Sequence, residues 1–129
     1  MAALAAAAAA LCFFRPPLAA GSLHPHFYKQ SCPNVTLIVK DQVDAAIWKE
    51  RRVSGSLLRL HFRDCFLSGC DGSVLLDDTS TSKGGKAGNP SSVIDDIKKA
   101  VEKQCRGVVS CADILALAAL FSVVNAGGA

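Results

Sequence analysis

The sequence predicts an all-α fold. Four segments repeat apolar residues at helical spacing, no stretch alternates as a half-buried strand would, and no internal repeat is visible. In the first segment Cys32-Pro33-Asn34 punctuates the chain, with Asn34 placed as an N-cap. Val35, Ile38, Val39, Val43, Ala46 and Ile47 then recur to about Trp48. The second segment runs from about Ser54 to Phe66 and carries Leu57, Leu58, Phe62 and Cys65. A loop rich in Gly, Ser, Asp and Thr follows from Leu67 to Ser92, broken by Val74-Leu75-Leu76. Ser92-Val93-Ile94-Asp95 reads as a capping box with Asp in its last position, opening a third helix with Ile94, Ile97, Val101 and Cys105 on one face. Ser110-Cys111-Ala112-Asp113 repeats the device before a fourth helix from Ile114 to about Val124. That helix is apolar all round, and a helix without a polar face expects burial inside a larger body.

At 129 residues the chain is one small domain at most. Residues 1–22 read as a secretory signal peptide: an Ala- and Leu-rich run, Cys12-Phe13-Phe14, then small residues around Ala19-Ala20-Gly21 for cleavage. Residues 23–129 are then the folded part. Arg15-Pro16-Pro17 interrupts the apolar run before it reaches the roughly 18 residues a membrane span needs, so no membrane partner is expected. The net charge of +3 is scattered, without the basic block a nucleic-acid partner requires. The mean hydropathy of +0.30 is inflated by the leader and the Ala-rich C-terminal region. Of six cysteines, Cys12 leaves with the leader. The other five are an odd number for an oxidising compartment, so one thiol lacks an internal partner, which suggests a missing part of the protein. Asn34-Val35-Thr36 is a glycosylation sequon, in keeping with secretion.

Two constellations could carry chemistry. Arg59 and Arg63, four apart on a helix, project together with Phe62 nearby, whereas His61 points about 200° away from each, since a residue advances about 100°. Alone, the two arginines read as a solvated basic face. The second constellation is Asp64, then Cys65 and Cys70, then Asp71 and Ser73. Cysteines five apart can close a tight ring that brings two carboxylates, a hydroxyl and turn carbonyls together, the hard oxygen donors that Ca²⁺ prefers. A zinc site on His61, Cys65 and Cys70 competes, but needs reduced thiols and a fourth ligand.

Arg59-Leu60-His61-Phe62-Arg63-Asp64-Cys65-Phe66 resembles, at seven of eight positions, the distal-helix signature RLHFHDCF of secretory plant (class III) haem peroxidases. Phe27-Tyr28-x-x-Ser31-Cys32-Pro33-Asn34, Asp64-Cys65-Phe66-x-x-Gly69-Cys70-Asp71-x-Ser73 and Cys105 to Leu115 resemble three further motifs of that family. The resemblance implies a partial haem-peroxidase fold holding the distal helices only, with haem b and Ca²⁺ as cofactors. It implies hydrogen peroxide and small phenolic donors as partners, a role in peroxide catabolism and the response to oxidative stress, and secretion to the extracellular space, cell wall or vacuole. Arg59 would stabilise the transition state and, with Phe62, contact the haem. Asp64, Asp71 and Ser73 would bind calcium through side chains, and Asp64, Leu67 and Gly69 through backbone oxygens. Cys32–Cys105 and Cys65–Cys70 would be bridged, leaving Cys111 for a distant partner or an intermolecular bridge.

Four departures bear on activity. Arg63 stands at the family's catalytic histidine, and a guanidinium with a pKa above about 12 only donates, so it cannot take a proton from peroxide. No Glu occurs between Glu50 and Glu102, where the family carries a Glu-Lys motif, although Asn89 stands near the place of a neighbouring family Asn. Leu120-Phe121 replaces a charged Arg-Asp pair. The family's proximal histidine would lie beyond position 129. The expectation is a family member inactive as this truncated chain, with His61 a structural residue facing the core. The rivals are a non-catalytic, secreted, disulfide-bonded calcium-binding helical fragment, or a truncated gene model.

Overall fold

A computed structural model describes residues 24–75 and 89–128. The predicted leader and its cleavage region, and residues 76–88 of the predicted Leu67 to Ser92 loop, lie outside the described residues. Among those described there are four α-helices, one short 3-10 turn at Ser73–Leu75 and no strand. The helices are α1 (Val35–Lys49), α2 (Val53–Ser68), α3 (Pro90–Gln104) and α4 (Cys111–Asn125). None is long and apolar enough to cross a membrane.

The core forms where the stripes of these helices meet. α1 buries Val35, Val39, Val43 and Ile47, the i, i+4 row that its sequence spacing announces. α3 buries Ile94, Ile97 and Val101 in the same manner. α4 packs against all three other helices and buries Ile114, Leu115, Ala118, Ala119, Phe121 and Ser122. This central place explains why it has no polar face. Its burial is incomplete, however: Leu120 is 50% exposed, and Val123 and Val124 are also open to solvent.

Three sequence expectations need correction. On α2 the core row is Val53, Leu57, Leu60 and Asp64, not Leu58 and Phe62, which are exposed. The helix carries two apolar stripes, and spacing alone does not tell which one the neighbours cover. α3 begins two residues before the proposed capping box at Ser92. Asn89 is the N-cap, its Oδ1 accepting from the Ser91 N–H at 3.0 Å, and Pro90 occupies the first turn where its missing N–H costs nothing. Ser92 Oγ instead donates to the Asn89 carbonyl at 2.8 Å. Asn34 does precede α1, but its side chain makes no capping hydrogen bond. The cap before α4 is present, with Ser110 Oγ accepting from the Asp113 N–H at 3.1 Å.

Two disulfides tie the elements. Cys32–Cys105 joins the approach to α1 with the end of α3, 73 residues apart. Cys65–Cys70 closes the last turn of α2 onto the loop that follows it. Cys111 is a free, exposed thiol.

Candidate functional site

α2 presents two chemically different faces. On the outer one, Arg59, Phe62, Arg63 and Phe66 are all exposed, and the rings of Phe62 and Phe66 stack with centroids 4.1 Å apart. The i, i+4 spacing produces both the pair of guanidinium groups and the aromatic pair. Neither arginine makes an ion pair among the described residues. The result is an exposed aromatic pair bordered by two cations without ion-pair partners among the described residues. Phe66 belongs to this surface and was missed from sequence, although its spacing from Phe62 was the available signal.

His61 turns away from that face, half-buried, with both ring nitrogens 3.7 Å from Cys65 Sγ. It therefore flanks the disulfide and does not enter the hydrophobic core as expected. His24 and His26 stand together before α1, with the His26 N–H donating to His24 Nδ1 at 3.1 Å. No histidine among the described residues joins Arg59 and Arg63 on the outer face, so no imidazole there can accept a proton.

The inner face ends in Asp64, only 1% exposed. Its Oδ2 accepts from the Gly72 N–H at 3.0 Å, and the Val74 N–H approaches Oδ1 at 3.5 Å. The chain can turn back this tightly because Gly69 ends α2 in the left-handed conformation, φ 77°. Cys70 adopts φ 60°, its N–H bonded to the Asp64 carbonyl at 3.2 Å. Gly72, at φ 76°, also lies so near α4 that a Cβ would stand 3.3 Å from the Ala112 nitrogen. A side chain there would be strained by the positive φ and would need α4 to yield by a few tenths of an ångström.

Asp71 follows on the exposed side of the same turn, with Oδ1 accepting from the Ser73 N–H at 2.9 Å. Hydrogen bonds from the Ser73 side chain and backbone hold the Asp71 carboxyl below the usual carboxylate range, and contact with Asp64 acts in the same direction. Asp64, near the end of α2, thus stands close to Asp71 in the turn that follows, where Ser73 also lies, while the Leu67 side chain is 78% exposed. The donors are all hard oxygens, a set that fits a hard cation. A zinc centre is a different matter. Cys65 and Cys70 are joined as a disulfide, and no group of three His, Cys, Asp or Glu among the described residues is placed to hold a metal.

A second polar contact escaped the sequence reading. The Tyr28 phenol donates to the Asp113 carboxylate, pinning the segment before α1 onto the start of α4. Burial raises the phenol pKa, and the hydrogen bond and negative charge of Asp113 raise it further.

The described residues thus form an all-α unit in which a helix bearing arginines and phenylalanines runs into an acidic, disulfide-closed turn. The model of the peroxidase family matches residues 39–129. The chain is 51% identical over 125 residues to Peroxidase 70 of Zea mays, covering 92% of this chain and 39% of that protein. It is 53% identical over 113 residues to Peroxidase P7 of Brassica rapa subsp. rapa, covering 82% and 38%. With Peroxidase RIP1 of Medicago truncatula it shares 54% over 114 residues, covering 82% and 35%. The chain belongs to the peroxidase family, and it spans less than two-fifths of the length of these relatives.

Proposed function

We propose that this chain is the distal-side part of a secreted, plant-type haem peroxidase, carrying the peroxide-facing surface without the group that moves the peroxide proton. The single observation behind the reading is the outer face of α2, where Arg59, Phe62, Arg63 and Phe66 are exposed together and the only nearby imidazole, His61, lies beside Cys65. Haem, when bound, would supply the iron at which peroxide is reduced and donors are oxidised. Phe62 and Phe66 would pack on the apolar macrocycle, and Arg59 would donate hydrogen bonds to peroxide oxygens as charge develops there. Arg63 adds a second cation at the same place and attracts anions. It does not accept a proton, so the acid–base step that an imidazole performs has no agent on this face.

Asp64, Asp71 and Ser73, with backbone oxygens of Asp64, Leu67 and Gly69, would hold Ca²⁺. Its role would be structural: to fix the end of α2 and thereby the orientation of Arg59 and Arg63. The substrates in this reading are hydrogen peroxide and small phenolic donors. Residues 1–22 act as the leader that directs the chain to the extracellular space, and residues 23–129 form the peroxidase part. In this reading none of the three histidines, His24, His26 and His61, stands on the Arg59 face, and sustained turnover would need an iron ligand from outside these residues.

Hemin titration of the 129-residue chain, followed by absorbance and guaiacol oxidation, tests the reading. The expected result is weak, non-stoichiometric hemin association without sustained turnover, unchanged by Arg63→His. A stoichiometric complex that turns over guaiacol with Arg63 in place would overturn it.

A further inference from the structure

Away from α2's outer face, the end of α1 and the end of α4 enclose an open cavity of about 650 Å³ lined by Asp44, Trp48, Arg51, Ser54 and Asn125, among others. Trp48 is the only tryptophan in the chain and is 90% exposed. So large an apolar side chain is normally buried for most of its area. Here it stands next to Ile47, which is buried, so α1 turns the indole outwards at the point where its core stripe ends.

The other lining groups are polar, planar and preset. Asp44 Oδ1 accepts from Asn125 Nδ2 at 2.9 Å, and its Oδ2 pairs with Lys40 Nζ at 2.5 Å. This cross-link between α1 and α4 orients the Asn125 amide, whose carbonyl oxygen meets no donor among the described residues. Hydrogen bonds from Lys40 and Asn125 keep the Asp44 carboxyl below the usual carboxylate range, so it stays an acceptor in mildly acidic surroundings. Ser54 Oγ donates to the Ser122 carbonyl at 3.2 Å, which leaves its oxygen lone pairs to accept. Arg51 forms no ion pair among the described residues, and the Trp48 indole N–H has no acceptor there. The site therefore offers an exposed aromatic platform, two free donors and several acceptors. The carboxylate is already neutralised by Lys40.

We infer that this cavity binds a neutral pyranose unit of an oligosaccharide, stacked on Trp48 and hydrogen-bonded by Arg51 and Asn125. A pyranose ring has one face of axial C–H bonds, whose weakly positive hydrogens suit the negative face of an indole. Its rim carries vicinal hydroxyls that donate and accept at once, matching the mixed set of Arg51, Asn125 and Ser54. A purely apolar partner would leave those groups unsatisfied, and a simple anion would use Arg51 but leave the Trp48 face and the Asn125 and Ser54 groups without a partner. The inference is independent of the peroxidase reading, because none of its residues lies on the outer face of α2.

The test uses the 129-residue chain and its single indole. Cellotetraose, xylotetraose and mannotetraose are titrated while tryptophan emission and heat are recorded, with circular dichroism confirming the helices. The expected result is a saturable emission change with at least one of the three, at a dissociation constant on the order of 1 mM. Trp48→Ala should weaken the heat signal by about tenfold or more, the usual effect of truncating an aromatic anchor. Trp48→Phe should retain part of it, and Asn125→Ala or Arg51→Ala should weaken it several-fold. No binding of any tetraose by the folded chain would overturn the inference, as would undiminished binding by Trp48→Ala. Binding confined to tetragalacturonate and abolished by salt would also overturn it, showing a simple ion pair with Arg51.

Discussion

Arg63 and Asp64 are neighbours in sequence and face opposite ways on α2. The Arg63 side chain lies in solvent, while the Asp64 carboxylate is 1% exposed and receives the Gly72 N–H at 3.0 Å. The helix thus separates an exposed face of arginines and phenylalanines from a buried carboxylate that anchors the following turn, one residue apart. Substitutions at the two positions should have opposite signatures, activity for one and stability for the other.

Asp64→Ala should lower stability by about 1–3 kcal/mol, because the buried Gly72 N–H loses its acceptor and the turn loses its link to α2. Arg63→Ala should change stability by less than about 0.5 kcal/mol, since the side chain is exposed and makes no ion pair among the described residues. Urea unfolding of the two variants measures both effects. Equal losses would show that the division between the two faces is wrong.

The two disulfides should differ in worth. Cys32–Cys105 closes a loop with a sequence separation of 73, and Cys65–Cys70 one with a separation of 5. In the chain-entropy model these contribute about 4 and about 2 kcal/mol respectively. Replacing Cys32 and Cys105 together by Ala should therefore lower the unfolding midpoint clearly more than replacing Cys65 and Cys70. Cys111→Ala should leave the midpoint unchanged, since that thiol is free and exposed.

Tyr28 gives a pH signature that can be read on its own, because it is the only tyrosine in the chain. Its folded pKa is raised above the ordinary value of 10.0, by burial first and then by Asp113. The contact therefore contributes stability that is fully present below about pH 10 and is lost as pH rises through the folded value. Phenolate absorbance should titrate above pH 10 in the folded chain and nearer 10 after Asp113→Asn. Tyr28→Phe should remove this part of the alkaline loss of stability. A titration below 10 in the native chain would contradict the contact.

How far the sequence reveals these features depends on whether local or tertiary forces decide them. The separation of His61 from Arg59 and Arg63 was legible, because helical phase is set by backbone hydrogen bonds alone. The stripes Val35–Val39–Val43–Ile47 and Ile94–Ile97–Val101 were legible for the same reason. The start of α3 was not, because Asn89-Pro90 and Ser92 both carry start signals two residues apart and only the fold ranks them. Nor could the sequence tell that Leu57 and Leu60 go inside while Leu58 and Phe62 stay out, since that depends on where α4 lies. The Tyr28–Asp113 and Asp44–Asn125 contacts span 85 and 81 residues, beyond the reach of any local pattern.

The outer face of α2 makes the strongest claim, and a chimera tests it. Residues 24–128 would replace the corresponding part of Peroxidase 70 of Zea mays, to which the chain is 51% identical, so that the rest of that protein completes the body. On the reading proposed above, Arg59 would still stabilise developing charge in such a protein, but nothing at position 63 would accept a proton. General acid–base catalysis typically contributes about 10²–10⁴-fold. The chimera should therefore oxidise guaiacol with hydrogen peroxide more slowly than Peroxidase 70 by about that factor, and Arg63→His should recover most of it. His61→Ala should leave the rate within about twofold, because its ring lies 3.7 Å from Cys65 Sγ and away from the arginines. The pH profile separates a base from a mere cation. With His at position 63 the rate should rise with pH through a single ionisation near about 6.5 as the imidazole loses its proton, and with Arg63 that limb should be absent. A fast chimera with Arg63 in place, or one that loses its rate on His61→Ala, would mean that α2 presents a different face to the peroxide.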